Sequence, residues 1–407
     1  MDASESPAGA TSGSPAHRRG FWSLAVGFAA LMAFTTIPTT MYPVYQDIDH
    51  FPTFMITVIF AAYGLGVMAG LFFVGHLSDH FGRRKVLVSA IGVEVISALI
   101  FIFSTHVSAL LAARFLCGFG IGAVTSTATA ALLELRARAA PDESPRLATT
   151  VASGVNLGGL ALGPLIGGIF TQWAPSPLTS TFVVFLGLLL AVGVMVVAIP
   201  ETVAPHSRRF VYRPQRLQVD PRRRGEFLAA GVAAAGAFAV MGFFTSLTGT
   251  FVGGSLRINS YFVVGLTVFA MMGASAVSQV LLARLTLRPK VAYGLSGMVA
   301  GLIALAVSGA VLSFPLFLVA AVVAGAGVGL VFSAAIETAG AISDRDHRGE
   351  TIAGMFLAAY VGITLPVITV GMALTWFAAP TVLITFALIV LVVVTASTSA
   401  MIRQTPG

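Results

Sequence analysis

Apolar residues run along this chain in twelve blocks, each set off by a short polar stretch or a turn-forming one. A hydrocarbon core of ~30 Å needs about 20 mostly apolar residues in a helix to cross it. Blocks of that length fall at 21–45, 53–76, 86–105, 108–132, 147–171 and 179–199. Six more fall at 227–251, 260–283, 291–312, 314–338, 351–375 and 379–402. The joins at Ser313 and around Ala378 are so short that the flanking blocks must form tight antiparallel hairpins. The pattern predicts an all-α integral membrane protein of twelve transmembrane helices.

Charge adds an orientation, because Lys and Arg accumulate in cytoplasmic loops. With the N-terminus inside, all but two of the 23 basic residues fall in the tails or the inner loops. The exceptions are Arg257, in an outer loop, and Arg114, within a block. A miscounted helix would scramble this asymmetry, so both termini are expected to be cytoplasmic. The stretch 201–225 is the longest polar connection and carries a dense group of arginines, which marks it as a basic linker between two halves. A six-helix bundle is therefore expected at 21–200 and a second at 226–407. The weakly hydrophobic tail 1–20, rich in Ser, Ala, Pro and Gly, is expected to be disordered.

The halves repeat one another. Arg146 precedes Pro164 by the same interval as Arg348 precedes Pro366. The run Gly118-Phe119-Gly120-Ile121-Gly122 matches Gly325-Ala326-Gly327-Val328-Gly329, and each is followed by a glutamate, Glu134 or Glu337. Parallel repeats of this kind mark two-bundle carriers.

Composition then excludes several classes. A chain that is 57% hydrophobic and 10% charged, with a mean hydropathy of +0.93, could not hide its apolar surface as a soluble domain. The net charge of +7 sits in short loops, so it reports topology and not a nucleic-acid partner. Cys117 is the one cysteine and lies in an apolar block, which leaves no disulfide framework and no redox pair. The sequence has no Gly-x-x-x-x-Gly-Lys-Ser/Thr loop and no HExxH, and none of its seven histidines falls mid-block. ATP-driven pumping, metal sites and Ser–His catalysis therefore lack their parts. Neither an enzyme nor a bound cofactor is expected.

The loop after the second block reads Gly75-His76-Leu77-Ser78-Asp79-His80-Phe81-Gly82-Arg83-Arg84-Lys85. It resembles the Gly-x-x-x-Asp-Arg/Lys-x-Gly-Arg-Arg/Lys-Arg/Lys loop of the major facilitator superfamily, with His80 standing where that family has a cation. The resemblance implies two six-helix bundles that rock about a central site, with this loop as a latch on the outward-facing state. In that role Gly75 lets the second and eleventh helices approach and Asp79 meets the positive end of the eleventh. Gly82 makes the turn, and Arg83 and Arg84, with Lys85, hold the loop at the anionic inner leaflet.

The fifth block carries Gly154, Gly158, Gly163, Pro164, Gly167 and Gly168. Their order is similar to the Gly-x-x-x-Gly-Pro-x-x-Gly-Gly pattern of the superfamily's antiporters. Small residues one turn apart allow close helix packing, and Pro164 bends the helix. Arg114, four residues before Gly118, resembles the fourth-helix arginine that the family associates with proton coupling. An arginine within the bilayer costs at least ~2.5 kcal/mol and is normally paired or functional. Glu94 is the one carboxylate deep in a block and falls within about a turn of Arg114 in depth. The two are candidates for a pair that couples protons. Candidates for lining a substrate cavity are Tyr42, Asn156, Phe243, Phe244 and Gln279, since polar and aromatic side chains inside a bundle hold small ligands.

These features together predict a proton-coupled exporter of small lipophilic molecules, drugs or metabolites, working by alternating access. Proton-coupled or facilitated uptake of a small nutrient stays open, as does a sensor that transports nothing. The expected partners are a small-molecule substrate, protons and the lipid bilayer. Action as a monomer in a bacterial inner membrane is expected.

Overall fold

A computed structural model describes residues 14–75, 77–203, 221–343 and 348–404. The first half holds Pro15–Thr36 (α1), Thr53–Phe73 (α2), Arg83–Phe103 (α3), Val107–Ala139 (α4), Arg146–Trp173 (α5) and Pro177–Val197 (α6). The second holds Arg224–Thr250 (α7), Tyr261–Leu281 (α8), Leu287–Val311 (α9), Phe314–Ile342 (α10), Arg348–Ala373 (α11) and Ala379–Gln404 (α12). All twelve are long and apolar enough to cross a membrane, and no strand occurs among the described residues. The molecule is all-α, two bundles of six helices.

Three boundaries differ from the apolar blocks. Helix α1 begins at Pro15, inside the stretch expected to be disordered, because proline suits the first helical turn; residues 1–13 lie outside the described residues. Pro38 lacks an N–H and cannot continue α1, so the first block is not one helix. It breaks into a 3-10 turn at Ile37–Thr40 and a short helix at Tyr42–Asp49. At its far end α4 runs well past its apolar block and carries Glu134, Arg136 and Arg138 with it. Only Leu312 and Ser313 separate α9 from α10, and Leu312 turns the corner with a left-handed φ of 52°. Most of the basic linker, 204–220, falls outside the described residues, as does His76.

Glycine decides which helices touch. On α2 and α4, Gly66, Gly70, Gly118 and Gly122 lie where any Cβ would run into the other helix's backbone. With little hydrophobic drive between helices in lipid, such backbone-close packing supplies the van der Waals contact that holds them. Helices α3 and α6 cover the outside of the first bundle, and α9 and α12 that of the second. The bundles meet mainly through α5 against α8 and α2 against α11. At these seams the Gln172 side chain accepts from the Tyr261 backbone N–H at 2.9 Å, and Gly371 lies against Thr57. Both contacts sit at the end away from the basic loops, so the bundles close there.

Candidate functional site

Toward the basic end the two bundles separate around a central cavity of about 320 Å³. Helices α1, α2, α4, α5, α7, α8, α10 and α11 all contribute to its wall. Its lining runs from Thr36 and Arg114 down to Gln279 and Ile336, the last about 9 Å from the basic end of α10. The cavity therefore reaches the basic face while its other end is sealed.

On α7, Phe238, Met241 and Thr245 line the cavity, spaced to share one helix face. Phe243 falls on the opposite face and Phe244 to the side, and neither lines it. Phe243 stacks on Phe386 at 4.9 Å and Phe244 packs on Phe317 at 5.4 Å, inside the second bundle. Tyr42 is likewise displaced from the cavity, because the break at Pro38 carries it beyond the sealed end; it is buried and its hydroxyl has no hydrogen-bond partner. Asn156 and Gln279 do lie in the cavity wall, one from each bundle. Sequence reasoning missed the aromatic residues that join them: Phe60 and Tyr63 on α2, Phe332 on α10, Phe356 and Tyr360 on α11.

Arg114 borders the cavity but is 1% exposed. Its Nη1 donates to the Thr35 carbonyl at 2.6 Å, and its Cζ stands 4.4 Å from the centre of the Tyr63 ring. Thr35 lies at the α1 break, where Pro38 offers no N–H, so the guanidinium supplies a donor and ties α4 to that break. The expected ion pair with Glu94 is not formed. Glu94 is fully buried, and its carboxyl meets no donor among the described residues other than the weak Cys117 thiol. It approaches α4 on the face of Cys117 and Gly120, turned about 60–120° from Arg114 around the helix. The Cys117 thiol stands beside the Glu94 carboxyl and within electrostatic reach of Arg114.

The loop before α3 is tied to its own bundle. Asp79, expected to meet the eleventh helix, instead pairs with Arg83 at 2.5 Å. Arg83 also donates to Ser78 at 2.6 Å and to Glu134 at 2.9 Å. Gly82 takes a φ of 97°, open to glycine at little cost. The bare backbone there lets the Glu201 carboxylate accept from the N–H groups of Arg83 at 2.9 Å and Arg84 at 3.1 Å. Glu201 thereby caps the positive end of α3. Thr202 bonds Glu134, and Arg138 donates to the Glu201 carbonyl at 3.2 Å, which closes the network. In the second bundle Lys290 pairs with Glu337 at 2.6 Å. Neither Glu201 nor Thr202 was foreseen; the available signal was a carboxylate just after Pro200 at the end of an apolar block.

In α5, Gly159 and Gly163 pack on α1, Gly167 packs on the 3-10 turn that follows it, and Gly168 packs on Gly265 of α8 in the other bundle. Gly154 and Gly158 meet nothing within 4 Å. The glycine-proline cluster is thus where one helix touches both its own bundle's broken helix and the opposite bundle.

A family model described as the Major Facilitator Superfamily matches residues 23–365. The chain belongs to that superfamily. As a member it is a secondary transporter and not an enzyme. Over 179 residues it is 32% identical to the 4-hydroxybenzoate transporter of Pseudomonas putida, covering 43% of this chain and 37% of that protein. It is 35% identical to the arabinose-proton symporter of Bacillus subtilis over 22% of this chain and 19% of that one. It is 29% identical to a cephamycin export protein of Amycolatopsis lactamdurans over 43% of this chain and 34% of that one. The matches thus span well under half the length of these curated relatives. Among solved structures, a bacterial homologue of the human lysosomal transporter Spinster superposes with a TM-score of 0.72 at 13% identity, over 96% of this chain and 97% of that one. The human organic anion transporter MFSD10 does so at 0.67 and 16%, over 95% and 100%.

Proposed function

We propose that this superfamily member exports small lipophilic molecules in exchange for protons, across a bacterial inner membrane, as a monomer working by alternating access. The observation that carries this reading is the central cavity, mostly apolar, closed at one end and reaching the basic face at the other. If basic loops mark the cytoplasm, a ligand enters the cavity from inside the cell. Rocking of the bundles across the α5–α8 and α2–α11 seams then exposes it to the other side.

The proton would be carried at Glu94. An ionised carboxylate there has no donor but the weak Cys117 thiol, and burying one so poorly paired is costly, so it needs either a proton or the charge of Arg114. Arg114 holds the α1 break through Thr35. A charge change at Glu94 would alter that hold and so bias which end of the cavity is open. The Asp79, Arg83 and Glu201 network would act on the same balance, with Asp79 free to seek α11 when the basic end closes.

The test is proton movement in proteoliposomes loaded with a pH dye. Exit of protons from the lumen on adding a lipophilic compound, at least several-fold weaker in Arg114→Ala, is the expected result. The names of relatives support a second reading, since one is a proton symporter and another a hydroxybenzoate transporter. Proton entry together with the compound would replace exchange by symport.

A further inference from the structure

The two walls of the central cavity differ in a way that selects among lipophilic ligands. On the second bundle's side four rings form one arc. Phe332 lies 4.7 Å from Phe238 and 5.5 Å from Phe356, and Tyr360 lies 5.7 Å from Phe238. The planes are inclined by 51° to 72°, so the arc presents both ring faces and ring edges. Offset and edge-to-face contacts with a flat π-system are the favoured ones between aromatic groups. On the first bundle's side stand Phe60 and Tyr63, with Arg114 behind them at 6.0 Å and 4.4 Å from the two ring centres.

Charge narrows the choice further. Aromatic arcs attract cations when an acid or a bare ring face receives them. Here no acidic residue is found among the described residues lining the cavity, and Arg114 places a positive charge against the Tyr63 ring. A cationic ligand would meet repulsion with no counter-charge, at distances where two like charges still cost binding at least about tenfold. Two amides supply polar contacts, beside the hydroxyls of Ser153, Ser275 and Ser333. Asn156 and Gln279 face the cavity from opposite bundles, and neither is hydrogen-bonded within the described residues. Each offers a donor and an acceptor. The volume of about 320 Å³ lies near the lower limit for small-molecule sites.

We propose that the cavity's ligands are small, flat aromatic compounds without a positive charge that carry a hydrogen-bonding group, seated on the Phe238 arc and held between Asn156 and Gln279. This deepens the proposed function by naming the substrate class. It rests on the central cavity being the transport site and is independent of direction or coupling.

The experiment is equilibrium binding to the full-length protein purified in detergent, followed by calorimetry. The probes are naphthalene-2-carboxamide, its saturated decahydro analogue and 2-naphthyltrimethylammonium. The carboxamide is expected to bind, the saturated analogue about fivefold or more weakly, and the ammonium compound about tenfold or more weakly. In Arg114→Gln the ammonium compound should close most of that gap. In Phe238→Leu the aromatic probe should lose its advantage over the saturated one; Phe356→Leu, at the end of the arc, serves if the first variant does not fold. Equal binding of the ammonium compound and the carboxamide to the wild type would overturn the proposal. So would equal binding of the saturated analogue, or no binding of any naphthyl probe at millimolar concentration. Selective binding of the carboxamide combined with inward or uncoupled flux would sink the exchange reading and leave this one standing.

Discussion

The α3–α4 pair of the first bundle and the α9–α10 pair of the second occupy equivalent places and are packed in opposite ways. In the second bundle Gly294, Gly297 and Gly301 on α9 sit against Val331, Gly327 and Ala324 on α10, nearly backbone to backbone. In the first, α3 carries Glu94 at the position that matches Gly301, counted from the paired cations Arg83 and Lys290. Its carboxyl occupies the space beside Gly120. In the same way Arg114 stands four residues before its glycine run, where the second bundle has Ala321. A duplicated scaffold has thus been charged in one copy and filled with hydrocarbon in the other. The first bundle holds the groups able to respond to a proton, and the second supplies most of the aromatic surface able to hold a ligand.

The largest expected effect tests the hydrocarbon side. Gly301→Leu would drive a side chain into the Ala324 backbone of α10, where a Cβ alone already falls 2.6 Å from that residue's Cα. Overpacking at a site with no free volume costs about 3 kcal/mol or more. The variant should lose the monodisperse peak in detergent gel filtration; a normal peak would mean that α9 and α10 are not so tightly joined.

The charged side should answer differently. Arg114→Ala removes the donor to Thr35 and the partner of the Tyr63 ring while leaving the glycine contacts of α4 intact. It should fold, yet lose coupled flux by about 5- to 150-fold, the usual span of a coupling energy. Undiminished proton exchange would remove Arg114 from the mechanism. Glu94→Leu goes one step further by making the first bundle resemble the second. Replacing a buried carboxyl whose one donor is a weak thiol with hydrocarbon is expected to raise stability by about 1 kcal/mol or more, by the logic that apolar groups often replace buried ionic ones at a gain. Dependence of flux on the pH gradient should vanish. A less stable variant with coupling preserved would assign Glu94 a packing role.

Much of this division was legible in the sequence. The bilayer dictates some 20 apolar residues per span, so twelve blocks and the two glycine runs could be read directly. Arg114, Asn156 and Gln279 stood out because a polar side chain in an apolar block is costly. What was not legible was direction. In lipid both the outer face of a helix and its inner face are apolar, so nothing in the sequence told Phe238 from Phe243 and Phe244; the first lines the cavity and the others fill the bundle. The depth match of Glu94 and Arg114 held no information on rotation about α4. Glu201 was hidden because it caps a helix that begins 118 residues earlier in the chain.

The smallest expected effect lies at the basic end, where the two bundles look most alike. Arg83→Met removes a side chain that is 12% exposed and has three acceptors, Asp79, Ser78 and Glu134. Glu134 would keep only Thr202 and the distant charge of Arg138. Lys290→Met removes one pair, and its partner Glu337 is 45% exposed, so water can replace the lost ammonium. A singly paired, half-exposed carboxylate contributes about 0–1 kcal/mol, whereas hydrogen bonds to charged groups contribute about 1.5–3 kcal/mol. Thermal unfolding in detergent should therefore shift more for Arg83→Met than for Lys290→Met. Salt should narrow the difference, because the loss of Asp79, 68% exposed, is the most easily screened part. Equal shifts would mean that the additional partners of Arg83 add nothing to one pair, and that the first bundle's asymmetry is confined to Glu94 and Arg114.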